Sequence, residues 1–142
     1  MKRTASAAWQ GDLKQGKGTL SSQSGVLKDT PYSFTARFEN GPGTNPEELI
    51  AAAHAGCFTM AVTATLGRAG FVPEKLSTQA TLTLEQVDSK WTITAIHLQL
   101  NARVPGIEPQ QFDDIAADAK ANCPVSRVLN AEVTLDAKLE TV

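Results

Sequence analysis

Two cysteines, Cys57 and Cys123, are the side chains of this 142-residue sequence best suited to covalent chemistry. The thiolate is the nucleophile, and at the ordinary thiol pKa only about 3% of a cysteine is ionised at pH 7. A reactive cysteine therefore needs a nearby cation or the positive end of a helix. Cys123 precedes Pro124, a residue suited to the first helical position, so it can sit at a helix N-terminus. Cys57 falls in the middle of an uncharged stretch, where burial would raise its pKa. It would need a cation from elsewhere. Arg37 is the best candidate, on a run whose opposite face is apolar, and Glu48 could hold that arginine in place. On local grounds alone Cys123 has the better case. Two cysteines are too few for a secreted disulfide framework. In a reducing compartment such a pair is more often catalytic, redox-active or metal-binding than structural.

His54 lies three residues before Cys57. With His97 the chain offers four potential zinc ligands, but none of the paired CxxC or HxxxH spacings. His54 is therefore read as a core or site-wall residue, and neither a metal nor a cofactor is expected. A formal net charge of −2 leaves no basic footprint for nucleic acid. The opening residues MKRTASAAW have no apolar segment behind their two basic residues, so no signal peptide is read and a cytoplasmic protein is expected.

The stretch from Asn45 to Gly70 must position Cys57. Asn45 is a good N-cap, Pro46 suits the first helical position, and Glu48 stands three residues after the cap as in a capping box. Glu47 and Glu48 sit at the positive end of the dipole, Arg68 lies in the last turn, and Gly70 can take the left-handed position beyond it. Leu49 to Gly67 carries no formal charge. A helix apolar all round is a membrane span or a buried core helix. This one is built of Ala, Gly and Thr rather than Leu and Ile, with His54 in its middle, so the buried reading is adopted. It has more apolar surface than two small sheets need, which predicts packing on its own copy in a homodimer. Glu48 and Cys57 are nine residues apart, about 180° round one helix and about 13.5 Å along it, so they point apart within one subunit. A shared site would take Glu48, or the whole constellation, from the twofold partner.

The remaining chain supplies the scaffold. Strands are expected at Ala5 to Gln10, Thr19 to Ser22, Val26 to Asp29 and along YSFTARFE at 32–39, where Tyr32, Phe34, Ala36 and Phe38 alternate with polar residues. After the helix, Ser77 to Val87 and Trp91 to Arg103 form a hairpin around Asp88-Ser89, with a bulge near Thr94-Ala95 where the apolar parity slips. Pro109 opens a second helix that runs to Asn122, VSRVL adds a short turn of helix, and Ala131 to Leu139 is the final strand. The expectation is one α+β domain over 1–142. It has two small antiparallel sheets, an N-terminal meander and a hairpin plus C-terminal strand, around a long buried central helix.

Here the residues meet a resemblance. TNPEELIAAAHAGCF at 44–58 and NCPVSRVL at 122–129 resemble the two signature segments of the OsmC/Ohr family of hydroperoxide reductases. The Pro-Tyr-x-Phe-x-x-Arg-Phe run at 31–38 and Trp9-x-Gly11-Asp12 also match, so the similarity runs essentially end to end. Details around both cysteines favour the OsmC (osmotically inducible protein C) branch. The resemblance implies a stress-protective thiol peroxidase on an intertwined homodimer. It implies Cys57 as the peroxidatic cysteine, Cys123 as the resolving one, and Arg37 and Glu48 as the charged pair that supports the thiolate. That assignment overrides the local preference for Cys123. Organic hydroperoxides are the implied substrates, with an external dithiol, lipoyl-linked dithiols included, as reductant. The competing class is a dimeric binding or redox-sensing module with non-catalytic cysteines.

Overall fold

A computed structural model describes residues 1–141. They fall into two compact units, Met1–Leu49 and the chain from Ile50 onward.

In the first unit, β1 (Ala5–Gln10), β2 (Lys17–Ser22) and β3 (Thr30–Tyr32) form an antiparallel sheet in that order. Gly18 pairs with both Trp9 and Tyr32. A Cβ there would come within 2.5 Å of each ring, so glycine lets the two aromatics meet edge to face across β2, 5.4 Å apart. Two strand expectations fail in this unit. Val26 to Asp29 is a run of bends, and only Tyr32 of the 32–39 run belongs to a strand. The rest forms a short helix, α1 (Phe34–Phe38), because the Ser33 hydroxyl accepts the Ala36 N–H at 3.1 Å and caps it. The spacing that suggested alternation also contains an i, i+4 pair. Phe34 and Phe38 lie on one face of the turn with ring centroids 5.0 Å apart.

The long helix α2 (Pro46–Arg68) has the expected bounds. The Asn45 carboxamide oxygen accepts the Glu48 N–H at 2.7 Å, while its amide nitrogen donates to the Ala36 carbonyl at 3.0 Å, tying α1 to the start of α2. At the other end the Phe71 N–H reaches the Leu66 carbonyl and the Gly70 N–H reaches that of Gly67. With Gly70 at φ 90° this is a Schellman stop.

In the second unit, β4 (Lys75–Val87) and β5 (Lys90–Arg103) pair antiparallel, joined by Asp88 and Ser89 with φ of 51° and 63°. Two consecutive left-handed residues give the mirror-image turn that matches strand twist. Thr83 pairs with Ala95 and Leu84 with Ile93, so Thr94 is the extra residue of the expected bulge. Helices α3 (Pro109–Asn122) and α4 (Pro124–Val128) follow, then β6 (Glu132–Leu139). β6 runs parallel to β5, which corrects the expectation of an all-antiparallel sheet. The physical reason is the connection: a helical crossover carries the chain back to the starting end of the strand, where only a parallel partner can begin.

The core of this unit joins Phe58, Val62 and Leu66 of α2 to Ile96, Leu98, Leu100 and Ala102 of β5, and to Phe112, Ile115, Ala116 and Ala119 of α3. Thr59 and Thr78 also meet through their hydroxyls at 2.7 Å, fastening α2 to β4. α2 is not enclosed within its own chain, as the fully buried reading required. Its buried residues are one stripe, His54, Phe58, Val62 and Leu66. Ala52, Ala53, Gly56, Met60, Thr63, Ala64 and Gly67 are exposed. By length and apolar composition the helix could cross a bilayer. The core stripe, with His54 at 0% exposure, instead marks it as the central helix of a packed α+β unit.

Candidate active site

The second unit brings both cysteines to the first turn of α4. Cys123 ends α3 and begins α4: its own N–H bonds back to Ala119, and its φ of −61° and ψ of 138° lie outside the helical region. The proline after it fixes the next residue at the first helical position, so Cys123 is at a helix start as its sequence suggests. Its sulfur accepts the Ser126 N–H at 3.3 Å, in the manner of an N-cap side chain. Cys57 reaches the same turn from α2. There it packs against the same core as Cys123 and Val125, and both the Val125 N–H and the Cys123 thiol bear on its titration. Both cysteines are reduced.

Opposing effects act on Cys57. Burial pushes its pKa up, the Val125 N–H pulls it down by favouring the thiolate, and the Cys123 sulfur pushes it up again as hydrogen-bond partner and as a second charge. Burial is the largest of these, so within this unit the thiol form of Cys57 is favoured. A nucleophilic Cys57 therefore requires positive charge beyond what α4 supplies.

His54 lies one turn before Cys57 and Phe58 on α2, on the buried stripe. Its Nε2 stands 2.7 Å from the Ser126 hydroxyl, which in turn is 3.2 Å from the Cys123 sulfur. His97, the other histidine weighed as a ligand, is exposed on β5 and pairs with the Thr134 hydroxyl at 2.7 Å. It points from the sheet face opposite the one that packs Ile96 and Leu98, so the strand's own alternation separates it from His54.

The first unit places Arg37 in the last turn of α1. Arg37 Nε donates to Glu47 at 3.0 Å and 3.3 Å, and Nη2 donates to Glu47 Oε1 at 2.8 Å. The guanidinium also lies over the Phe38 ring, 5.2 Å from its centroid. Within the chain the arginine's acid is thus Glu47, not Glu48. The reason is the cap: Glu48 is turned back toward Thr44, whose hydroxyl donates to its carboxylate at 2.7 Å, and Glu47 is rotated about 100° from it toward α1. Sequence reasoning missed Glu47, Val125 and Ser126. Glu47 has only its place at the helix dipole to mark it in sequence, while Ser126 has its place three residues after a capping Cys123.

The family profile described as OsmC-like protein matches residues 39–138. The chain is 54% identical to Peroxiredoxin OsmC of Escherichia coli over 95% of its length and 94% of that protein's. It is 31% identical to the organic hydroperoxide resistance protein of Xanthomonas axonopodis pv. citri over 67% of each. Among solved structures, an OsmC-like protein from Vibrio cholerae superposes with a TM-score of 0.78 at 18% identity, covering 96% of this chain and 99% of that one. The organic hydroperoxide resistance protein OhrB of Bacillus subtilis gives 0.65 at 25% identity, covering 95% and 98%.

Proposed function

Because this chain belongs to the OsmC-like protein family, we propose that it is a thiol-dependent peroxidase that reduces organic hydroperoxides, and hydrogen peroxide with them, as protection against oxidative and osmotic stress. The observation that carries this reading is the meeting of Cys57 and Cys123 at the first turn of α4. Two reduced cysteines brought to one turn need only one to be oxidised for a disulfide to follow.

In the first step the Cys57 thiolate attacks the distal peroxide oxygen. The O–O bond breaks, and the leaving alkoxide takes up a proton to become the alcohol. Cys57 is left as a sulfenic acid. Arg37 is the cation assigned to the thiolate and to the charge growing on the leaving oxygen, with Glu47 holding it within the chain and Glu48 retained as the acid that a partner subunit could contribute. In the second step Cys123 attacks the sulfenic sulfur, water leaves, and the Cys57–Cys123 disulfide forms. An external dithiol, lipoyl-linked dithiols included, restores both thiols by exchange. No cofactor enters this cycle. A reducing cytoplasm suits it, since the resting state is the dithiol.

The working unit of this proposal is a homodimer formed through α2. The support is the uncharged, small-residue face that one chain leaves exposed, with Met60 at 75% exposure and open space beside the Cα atoms of Gly56 and Gly67.

Peptide mass spectrometry after one equivalent of cumene hydroperoxide tests the reading. Wild type should lose two hydrogens and link Cys57 to Cys123, and Cys123→Ser should stop at oxidised Cys57. Oxidation that persists at Cys123 in Cys57→Ser would reverse the two roles. No oxidation at either cysteine would leave a binding module with inert thiols.

A further inference from the structure

The peroxidase cycle leaves one buried titratable side chain unused. His54 is at 0% exposure in the apolar core stripe of α2, among Phe58, Val62 and Leu66. A histidine there forgoes hydration and needs a compensating partner. Its Nδ1 makes no hydrogen bond. Its Nε2 makes one, 2.7 Å to the Ser126 hydroxyl, across 72 residues of sequence. The same hydroxyl is 3.2 Å from the Cys123 sulfur, and the Ser126 N–H donates to that sulfur at 3.3 Å. Cys123, Ser126 and His54 therefore form a continuous hydrogen-bonded line from a reacting atom to a buried base.

We propose that Ser126 and His54 form a proton relay that activates Cys123 for disulfide closure. The inference rests on the peroxidase reading above. In the resting line the Cys123 S–H donates to the Ser126 oxygen and the Ser126 O–H donates to His54 Nε2. When Cys123 attacks the Cys57 sulfenic acid, the thiol proton moves to Ser126 as the Ser126 proton moves to His54. The S–S bond forms as the S–O bond breaks; the sulfenic sulfur is reduced and the Cys123 sulfur oxidised. The departing hydroxide is protonated by water, and the proton held by His54 returns through Ser126 to solvent, so the products are one disulfide and one water, and the imidazole ends neutral. The Ser126 N–H stays on the Cys123 sulfur throughout and stabilises its transient negative charge. Ser126 touches the reacting atom and is catalytic in this scheme, while His54 acts through it and is a positioning and proton-holding residue.

The surroundings fit that task. Burial lowers the His54 pKa, which keeps the imidazole neutral and ready to accept. The titratable group joined to it by this line is the Cys123 thiol. Among the described residues no Asp, Glu, Lys or Arg side chain hydrogen-bonds to its ring.

The test follows one turnover of full-length wild type, Ser126→Ala, Ser126→Thr and His54→Gln with one equivalent of cumene hydroperoxide. Acid-quenched samples are analysed by mass spectrometry, with dimedone to trap sulfenic acid. Positioned acid–base groups contribute about a hundredfold or more. Disulfide formation should therefore slow by about that factor in Ser126→Ala, with Cys57 sulfenic acid accumulating, and Ser126→Thr should recover most of the rate. In wild type the closure rate should be flat with pH and fall only below the ordinary imidazole range. In His54→Gln it should instead rise about tenfold per pH unit, as hydroxide replaces the relay. A structural role for His54 would not change that slope. Wild-type closure rates in Ser126→Ala, or an unchanged pH profile in His54→Gln, would overturn the relay while leaving the peroxidase standing. Absence of the disulfide in wild type would remove both.

Discussion

Substituting the two neighbouring acids of α2 separately, Glu47→Gln and Glu48→Gln, asks which of them orders Arg37. The ion pair of Arg37 with Glu47 has side chains 39% and 12% exposed, so solvent screens it. Pairs of this kind contribute about 0.2–1 kcal/mol, and Glu47→Gln should lower the melting temperature by no more than about 4 °C. Its effect on rate should be larger. The three donor contacts to Glu47 hold the guanidinium in one orientation. An arginine side chain carries about 2 kcal/mol of rotamer entropy, and a freed Arg37 must be ordered again in each transition state. Losing about 1.4–2 kcal/mol of that preorganisation slows the first step about 10- to 30-fold. In Glu48→Gln the amide oxygen can still accept from the Thr44 hydroxyl, and Arg37 keeps its partner. That variant should stay within about threefold of wild type. The assay is rapid-quench mass spectrometry of Cys57 oxidation by limiting cumene hydroperoxide, paired with thermal melts at one fixed protein concentration. The reasoning fails if Glu48→Gln loses the larger factor while Glu47→Gln is near wild type. Glu48, contributed by a partner subunit, would then be the acid that matters.

Arg37→Ala should slow peroxide consumption far more than it lowers urea stability; equal activity would remove Arg37 from the mechanism. Asn45→Ala loses both the cap bond to Glu48 and the bond to Ala36. It should destabilise by about 2 kcal/mol, and Asn45→Asp by about half that, since it keeps the cap; urea midpoints distinguish the two. Met60→Glu puts a charge on the exposed face of α2 and should shift the protein toward monomer in light scattering, with unchanged mass refuting the α2 interface. Burial raises the Cys57 pKa, so the folded chain holds that proton more tightly than the unfolded one. The stabilisation is full below the ordinary thiol range and is lost as pH climbs from there through the raised value; urea melts of wild type and Cys57→Ala should converge in trend only below that window.

What the sequence by itself determined is what depends on near neighbours. The bounds of α2 follow from Asn45, Pro46 and Gly70, each acting within one turn of its own position. The bulge at Thr94 follows from a parity slip along one strand. Cys123 stands at a helix start because Pro124 follows it. Even the misread segment at 34–38 failed for a local reason: five residues with Phe at both ends satisfy strand alternation and a helical turn alike, and the Ser33 cap decides between them. The tertiary structure decided everything that joins distant segments. It set β6 parallel to β5, turned Glu47 rather than Glu48 to Arg37, brought Cys57 to the turn that begins at Cys123, and set His54 against Ser126. Caps and periodicity fix where an element begins and which face is apolar. Which polar group on one element meets which on another depends on the rotation and depth at which the faces pack, and that is set by the shapes of Phe58, Leu98 and Phe112 in contact rather than by any residue's neighbours along the chain.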